Sequence, residues 1–139
     1  LKDDYLKEFI EKLFIGYRES FNDPKKILNK YSLGIAHHKV LHLISLHPDI
    51  TISQLLGKLK VTKQSLNRVL KDLISLNAIH FKKGEKDTRL KHVFLTKKGN
   101  QIFNEIFFVQ KKRIYKALIN SSSVEINSFN NVLKKIINE

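Results

Sequence analysis

Polar side chains between residues 63 and 71 have the types and the spacing needed to bind nucleic acid. Leucines and a valine recur every three or four residues through this stretch and predict a helix with one buried face, formed by Leu66, Val69, Leu70 and Leu73. Gln and Asn can pair bidentately with adenine, and Arg with guanine. We predict base-edge contacts for Gln64, Ser65, Asn67 and Arg68. The alternative for each residue is a solvated helix face.

Basic residues near this helix suit phosphate rather than bases. Lysine is a point charge with little geometric selectivity, so Lys63 and Lys71 are predicted phosphate contacts. Further phosphate contacts are predicted for the lysines of the following segment: Lys82, Lys83, Lys86 and Lys91. Residues 57–98 hold twelve Lys and Arg against three Asp and Glu, a net +9 of the chain's formal +13. A patch of this kind attracts nucleic acid, whereas a genome-wide bias toward lysine codons would spread the charge evenly.

Two short strands are predicted directly after the helix. They cover about 79–83 and 90–95 and are joined through Gly84 and a charged tip at 85–88. A basic hairpin beside a groove-reading helix fits the DNA backbone or minor groove. Arg89, one of only four arginines, is the predicted minor-groove residue, with Asp87 beside it. The alternative for Arg89 is a structural pair with Asp87 alone.

The elements that must hold these side chains are mainly helical. Thr51 and Gln54 match a capping box for a short helix over about 52–59, and Thr62 is the predicted N-cap of the next helix. Short helix, short turn and helix form a helix-turn-helix. Asn77 suits the left-handed conformation that ends the second of these helices. Upstream, apolar spacing predicts helices over 3–22 and 35–46, the latter with Ile35, Val40, Leu41 and Ile44 facing inward.

The ends of the chain carry more apolar surface than one small core can bury. After Thr96–Gly99, which is expected to close the hairpin, a long helix is predicted over 100–119. Another begins with a capping box at Ser122 and Glu125. We expect these helices and the first one to bury their apolar faces against a second copy of the chain. An exposed patch on a monomer is the competing interpretation.

Other classes of protein find little support in the composition. The chain has no cysteine, which excludes disulfides and thiolate metal sites, and it lacks a run of apolar residues long enough for a membrane helix. No phosphate-binding glycine loop or zinc-protease motif is present, so we expect no enzyme and no cofactor. A cytoplasmic location is expected. A low-specificity architectural DNA-binding protein is the alternative function.

The histidines around residue 40 allow several interpretations. His38 and His42 are four residues apart and share a helix face, which is a possible bidentate metal arrangement. No third ligand is evident, so no metal is expected, and solvated or core histidines are favoured. His37 is expected to face inward with Val40 and Leu41.

The whole chain resembles the MarR family of bacterial transcriptional regulators. Asp87-Thr88-Arg89, followed by five residues and Leu95-Thr96, matches the family's wing signature. The stretch from Leu59 to Arg68 matches its Leu-x-Val-Thr-x-x-Ser-Leu-x-Arg pattern. Asn77 stands where the family usually has glycine, and the usual small residue of the third helix falls near Leu56-Gly57. The two motifs occur in the expected order and separation.

This resemblance implies a mainly α fold with a small β-hairpin wing. It implies a single domain over 1–139, with a winged helix-turn-helix lobe at 35–96 and dimerisation helices at 1–34 and 97–139. It further implies a homodimeric repressor that binds a near-palindromic operator in double-stranded DNA, with Arg89 in the minor groove and Asp87 holding the wing. A small-molecule effector pocket is expected beside the dimerisation helices, with His37, His38 and Leu41 as its candidate residues.

Overall fold

Seven helices and one hairpin make up the fold. A computed structural model describes residues 1–139. The elements are α1 (Asp3–Asn22), α2 (Lys25–Lys30), α3 (Ile35–Leu46), α4 (Ile52–Leu59), α5 (Lys63–Ser75), β1 (Ile79–Lys83), β2 (Lys91–Leu95), α6 (Lys97–Ile119) and α7 (Ser123–Ile136). They divide into a central unit, Asp23–Phe107, and a terminal unit, Leu1–Asn22 with Phe108–Glu139. The expected mainly α fold with a hairpin is confirmed. No helix combines the length and the apolarity that crossing a membrane requires.

The central unit has a closed hydrophobic core. Leu41, Leu55, Leu73 and Ile106 have no exposed surface, and they come from four different helices. The first half of α6 and the short α2 also contribute buried side chains, because Ile102, Phe103 and Leu28 belong to the same cluster. This compact unit therefore extends beyond residues 35–96 at both ends.

Side-chain caps start the helices of the helix-turn-helix. Thr51 Oγ1 accepts a hydrogen bond from the Gln54 backbone, and Gln54 Oε1 accepts one from the Thr51 backbone. Lys60 adopts a left-handed conformation with φ of 52°, which ends α4 sharply. Thr62 Oγ1 then accepts from the Ser65 backbone at 3.1 Å and starts α5. Both predicted caps are confirmed, and φ of 60° at Asn77 confirms the predicted helix end.

The hairpin is antiparallel and attached to the core along one edge. Its register pairs Ile79 with Leu95 and Lys83 with Lys91. Val93 is buried, and its N–H donates to the Ile50 carbonyl at 3.0 Å, so the segment before α4 acts as a short third strand. The base of the wing is thereby fixed to the helix-turn-helix, while its tip extends away from it.

Two sequence predictions about local structure are wrong. Ile35 is 47% exposed, because the first turn of α3 lies at the edge of the core and not inside it. Residues 97–99 belong to α6 and do not close the hairpin. Thr96 caps this helix, since its Oγ1 accepts from the Gly99 N–H at 2.9 Å while donating to the Asn77 carbonyl at 2.6 Å.

The terminal unit leaves most of its apolar side chains exposed, whereas the central unit buries many of them. Neither α1 nor α7 has a buried residue. Gln110 on α6 donates to the Ser20 carbonyl on α1 at 3.2 Å, and Arg113 pairs with Glu19 at 3.8 Å. The apolar side chains of these helices remain open, including Phe14 at 56% and Phe129 at 53% exposure.

Candidate nucleic-acid interface

Helix α5 presents a polar face whose orientation is fixed by its buried leucines. Leu66, Leu70 and Leu73 are at most 3% exposed, so the opposite side of the helix must face solvent. Five of the six predicted DNA-contacting residues on α5 are exposed: Lys63, Gln64, Asn67, Arg68 and Lys71. A helix with this polar face has the dimensions and donors that the major groove admits.

Ser65 differs from its neighbours on α5. It is only partly exposed, and its Oγ accepts a hydrogen bond from Thr62 Oγ1 at 2.9 Å. It also borders an apolar cleft of about 290 Å³, lined in part by Ile35, Val61 and Val69. A base contact by Ser65 stays a prediction, and its hydroxyl would have to donate while keeping the Thr62 bond.

The wing arginine is held by its own loop. Arg89 Nε and one Arg89 Nη each donate to an Asp87 carboxylate oxygen at 3.0 Å, and the Arg89 backbone N–H donates to Asp87 Oδ1. The Arg89 side chain is nevertheless 89% exposed. The Arg89 hydrogen bonds lower the pKa of Asp87 from its usual value, and the carboxylate raises the pKa of Arg89. The guanidinium is thus oriented at the surface before any partner arrives.

Backbone hydrogen bonds shape the wing tip around Gly84. The Gly84 N–H donates to the Leu90 carbonyl and the Leu90 N–H to the Asp87 carbonyl, at 3.0 and 3.1 Å. A Cβ at position 84 would lie 2.5 Å from the Asp87 carbonyl oxygen, so only glycine fits this fold of the tip. The four wing lysines are exposed: Lys82, Lys83, Lys86 and Lys91. Lys91 Nζ lies 4.4 Å from the centre of the Phe81 ring, and Lys82 Nζ lies 3.9 Å from Glu85 Oε1.

The histidines of α3 are arranged differently from the prediction. His38 has no exposed surface, whereas the His37 side chain is 17% exposed and lies at the side of the helix, against Asp72. His37 is thus covered at the flank of α3 and not placed in the core with Val40 and Leu41, where His38 lies instead. Burial, and to a smaller extent the charge of His47, lower the pKa of His42 from 6.5. The His42 ring also contacts the edge of Phe103, with centroids 5.9 Å apart.

Sequence reasoning missed several residues that support the interface. His37 Nε2 lies 2.9 Å from Asp72 Oδ2 on α5, and its Nδ1 accepts from the Gly34 N–H. The His92 ring is hydrogen bonded to the Asp49 carbonyl, which ties the wing to the loop before α4. The position of His37 three residues after Gly34, at the start of a helix, was the available signal for its capping role.

Comparison with known proteins identifies the family. Residues 31–90 match the model of the MarR family. The HTH-type transcriptional regulator PetP of Rhodobacter capsulatus is 36% identical over 137 residues, which cover 99% of this chain and 82% of that protein. The chain belongs to the MarR family. As a member of this family it is a DNA-binding transcriptional regulator.

Solved structures of MarR-family regulators share the fold. MarR from Staphylococcus aureus, in complex with salicylate and kanamycin, superposes with a TM-score of 0.75 at 22% identity, covering 99% of this chain and 95% of that one. A mutant MarR from E. coli complexed with operator DNA superposes with a TM-score of 0.68 at 22% identity, with 96% of each chain covered. Both matches span the terminal helices as well as the central unit.

Proposed function

We propose that this protein is a homodimeric repressor that recognises a near-palindromic operator in double-stranded DNA and performs no catalytic step. The observation that carries the proposal is the exposed polar face of α5, in which Gln64, Asn67 and Arg68 lie together on a helix held by buried leucines. Amide and guanidinium groups at these positions can distinguish bases, whereas lysines alone cannot. Such a protein would work in the bacterial cytoplasm, where the DNA is.

The terminal unit supports the dimer. Sixteen large apolar residues of this unit are exposed, against six in the central unit. An isolated monomer rarely exposes so much contiguous apolar surface, and two-fold pairing of identical helices is the commonest way to bury it. A two-fold dimer presents two copies of α5. The operator is therefore expected to contain two half-sites about one helical turn apart, or a multiple of that spacing.

The wing is proposed to act in two parts. Arg89 would enter the minor groove, where its guanidinium must exchange at least part of the Asp87 contact for DNA acceptors. The exposed lysines at 82, 83, 86 and 91 would neutralise phosphates and contribute affinity with little dependence on sequence. Asp87 would hold the tip in the conformation that presents Arg89.

DNA binding can be tested with arginine variants of equal charge. Fluorescence anisotropy at near-physiological salt would compare DNA from upstream of the protein's own gene with scrambled DNA of equal length. Arg68→Ala should lower the preference for the upstream DNA by about fivefold or more, because a bidentate base contact discriminates by roughly 1–3 kcal/mol. Arg89→Ala should weaken binding to a similar extent. Arg18→Ala, an exposed arginine of the terminal unit, removes the same charge and should change little.

The alternative function gives a different result in the same assay. An architectural DNA-binding protein would bind both DNAs equally, with steep salt dependence, and Arg68→Ala would lose no more affinity than Lys71→Ala. That outcome would refute the repressor proposal. Binding to neither DNA would refute both proposals for the mode of binding.

Control by a small-molecule effector forms part of the proposal. A relative of the same fold has been crystallised with salicylate, which makes salicylate a suitable first probe. His37, His38 and Leu41 stay the predicted residues of an effector pocket. His38 and Leu41 are fully buried, so a ligand could reach them only if the core opened. Salicylate that releases the protein from operator DNA would support effector control, and unchanged anisotropy up to millimolar concentration would count against this ligand.

A further inference from the structure

His37 connects the first turn of α3 to the recognition helix α5. Its Nδ1 accepts a hydrogen bond from the Gly34 N–H at 3.0 Å, and its Nε2 lies 2.9 Å from Asp72 Oδ2. An amide N–H can only donate, so Nδ1 must carry the lone pair and Nε2 the proton. Nε2 therefore donates to the carboxylate. The Gly34 N–H and the Asp72 carboxylate both select this tautomer, and together they hold the His37 ring from two sides.

Asp72 is an unexpected residue on a helix that is proposed to face DNA, and its hydrogen bond to His37 would account for it. It is the only acidic residue of the helix, in a segment that otherwise favours phosphate. A carboxylate there weakens the attraction to DNA. Its side chain is 62% exposed, so packing does not require it. It follows Lys71 directly and stands four residues, about one turn, after Arg68.

We propose that the His37–Asp72 hydrogen bond fixes the rotation of α5 about its own axis and thereby sets DNA sequence specificity. The inference rests on the proposed base reading by α5. Buried leucines hold one side of the helix, and the bond to His37 holds its flank. A rotation of about 10° moves side-chain tips roughly 5–6 Å from the axis by about 1 Å. That displacement is enough to spoil a bidentate hydrogen bond to a base, but phosphate attraction tolerates it.

Two substitutions at Asp72 separate the hydrogen bond from the charge. Asp72→Asn and Asp72→Ala both remove one negative charge, so both should raise affinity for scrambled DNA equally. Asn keeps an oxygen that can accept from His37 Nε2, whereas Ala does not. We expect Asp72→Ala to lower the ratio of operator to scrambled-DNA affinity about fivefold, the typical effect of one hydrogen bond. Asp72→Asn should keep the ratio within about twofold of the unmodified protein.

A variant of the partner completes the test. Ala at position 37 has no side-chain donor for Asp72 and no acceptor for the Gly34 N–H, so His37→Ala removes both hydrogen bonds of the ring. His37→Ala should therefore lower the specificity ratio at least as much as Asp72→Ala, and adding Asp72→Ala to it should lower the ratio no further. Thermal unfolding of both Asp72 variants should stay close to that of the unmodified protein, because Asp72 is exposed.

The possible outcomes distinguish this inference from the function on which it rests. An unchanged ratio in Asp72→Ala would overturn the inference, as would equal losses in Asp72→Asn and Asp72→Ala. Independent, additive effects of the two positions would also overturn it, since a shared hydrogen bond can be lost only once. Equal affinity of the unmodified protein for operator and scrambled DNA would instead refute the proposed function, and the inference would fall with it.

Discussion

The two compact units of this chain use similar amphipathic helices in opposite ways. All sixteen buried apolar residues lie in the central unit, and the terminal unit has none. Yet α1 and α7 carry as regular an apolar stripe as α5 does, with Ile10 and Phe14 on one and Phe129 and Val132 on the other. The difference lies in what faces each stripe within a single chain. Apolar spacing therefore predicts that a face will be buried, but not whether the same chain buries it.

The largest expected effect concerns the closed core. Leu41→Ala should lower the free energy of unfolding by about 2–5 kcal/mol, because a fully buried leucine leaves a cavity when truncated. Urea unfolding monitored by circular dichroism would measure it. Leu46→Ala, 62% exposed at the end of the same helix, is the matched control and should change stability by less than about 0.5 kcal/mol. Similar losses in both variants would contradict the core described for the central unit.

A substitution on the apolar surface of the terminal unit should weaken dimer formation. Phe129→Glu places a charge on an apolar face, and a two-fold dimer would contain it twice. Losing a buried phenylalanine costs about 1.5–3 kcal/mol per copy, so the dimer dissociation constant should rise at least about a hundredfold. Sedimentation velocity over a range of concentrations would show this. Leu46→Glu changes an apolar residue of the central unit that is at least as exposed as Phe129, and it should leave the dimer intact.

An unmodified protein that is monomeric at micromolar concentration would contradict the dimer expected from the terminal unit. The open faces of α1 and α7 would then need another partner, and the proposal of a two-fold operator would lose its support. An unchanged dimer in Phe129→Glu would instead place the interface on another face of the terminal unit.

Alanine substitutions at one glycine of each unit should change the free energy of unfolding in opposite directions. A Cβ on Gly99 would lie 1.9 Å from the Ala78 carbonyl oxygen, because the start of α6 packs directly against the connection between α5 and β1. Gly99→Ala should therefore destabilise the protein by about 1–3 kcal/mol. A Cβ on Gly16, in α1, would meet nothing within 4 Å. Gly16→Ala should stabilise the protein by about 0.5–1 kcal/mol, since alanine is the better helix former. Thermal unfolding would measure both, and shifts of the same sign would contradict this contrast.

Much of the central unit was predictable from local sequence. Thr51, Thr62 and Asn77 act on their own neighbours along the chain, so their roles follow from residue type and position. The predicted bounds 3–22, 35–46 and 52–59 coincide with α1, α3 and α4 for the same reason. Asp87 and Arg89 are two residues apart, and their pairing was foreseen as the alternative role of Arg89.

Contacts between distant residues were not predictable in this way. The approach of Gly99 to Ala78, the His37–Asp72 bond and the tie from His92 to Asp49 join positions 21, 35 and 43 residues apart. Helical spacing leaves the choice between adjacent residues open, and His38 rather than His37 lies fully inside the core. His42, four residues after His38, contacts the edge of the Phe103 ring.

The smallest expected effect is a pH dependence that belongs to the central unit. Burial, followed by the His47 charge, lowers the pKa of His42 below 6.5. Well above pH 6.5, His42 is neutral in the folded and the unfolded chain and does not alter stability with pH. As the pH falls below 6.5 the unfolded chain takes up the proton first, so stability declines until the pH has passed below the lowered pKa. His42→Gln removes this titration and should flatten the decline in urea midpoint between pH 7.5 and 5. His80→Gln, which replaces an exposed histidine of the wing, should leave the decline unchanged.

Equal declines in the His42 variant and the unmodified protein would show that burial of this ring does not contribute to acid sensitivity. A flatter profile would show that the central unit excludes water from a titratable side chain as well as from its leucines.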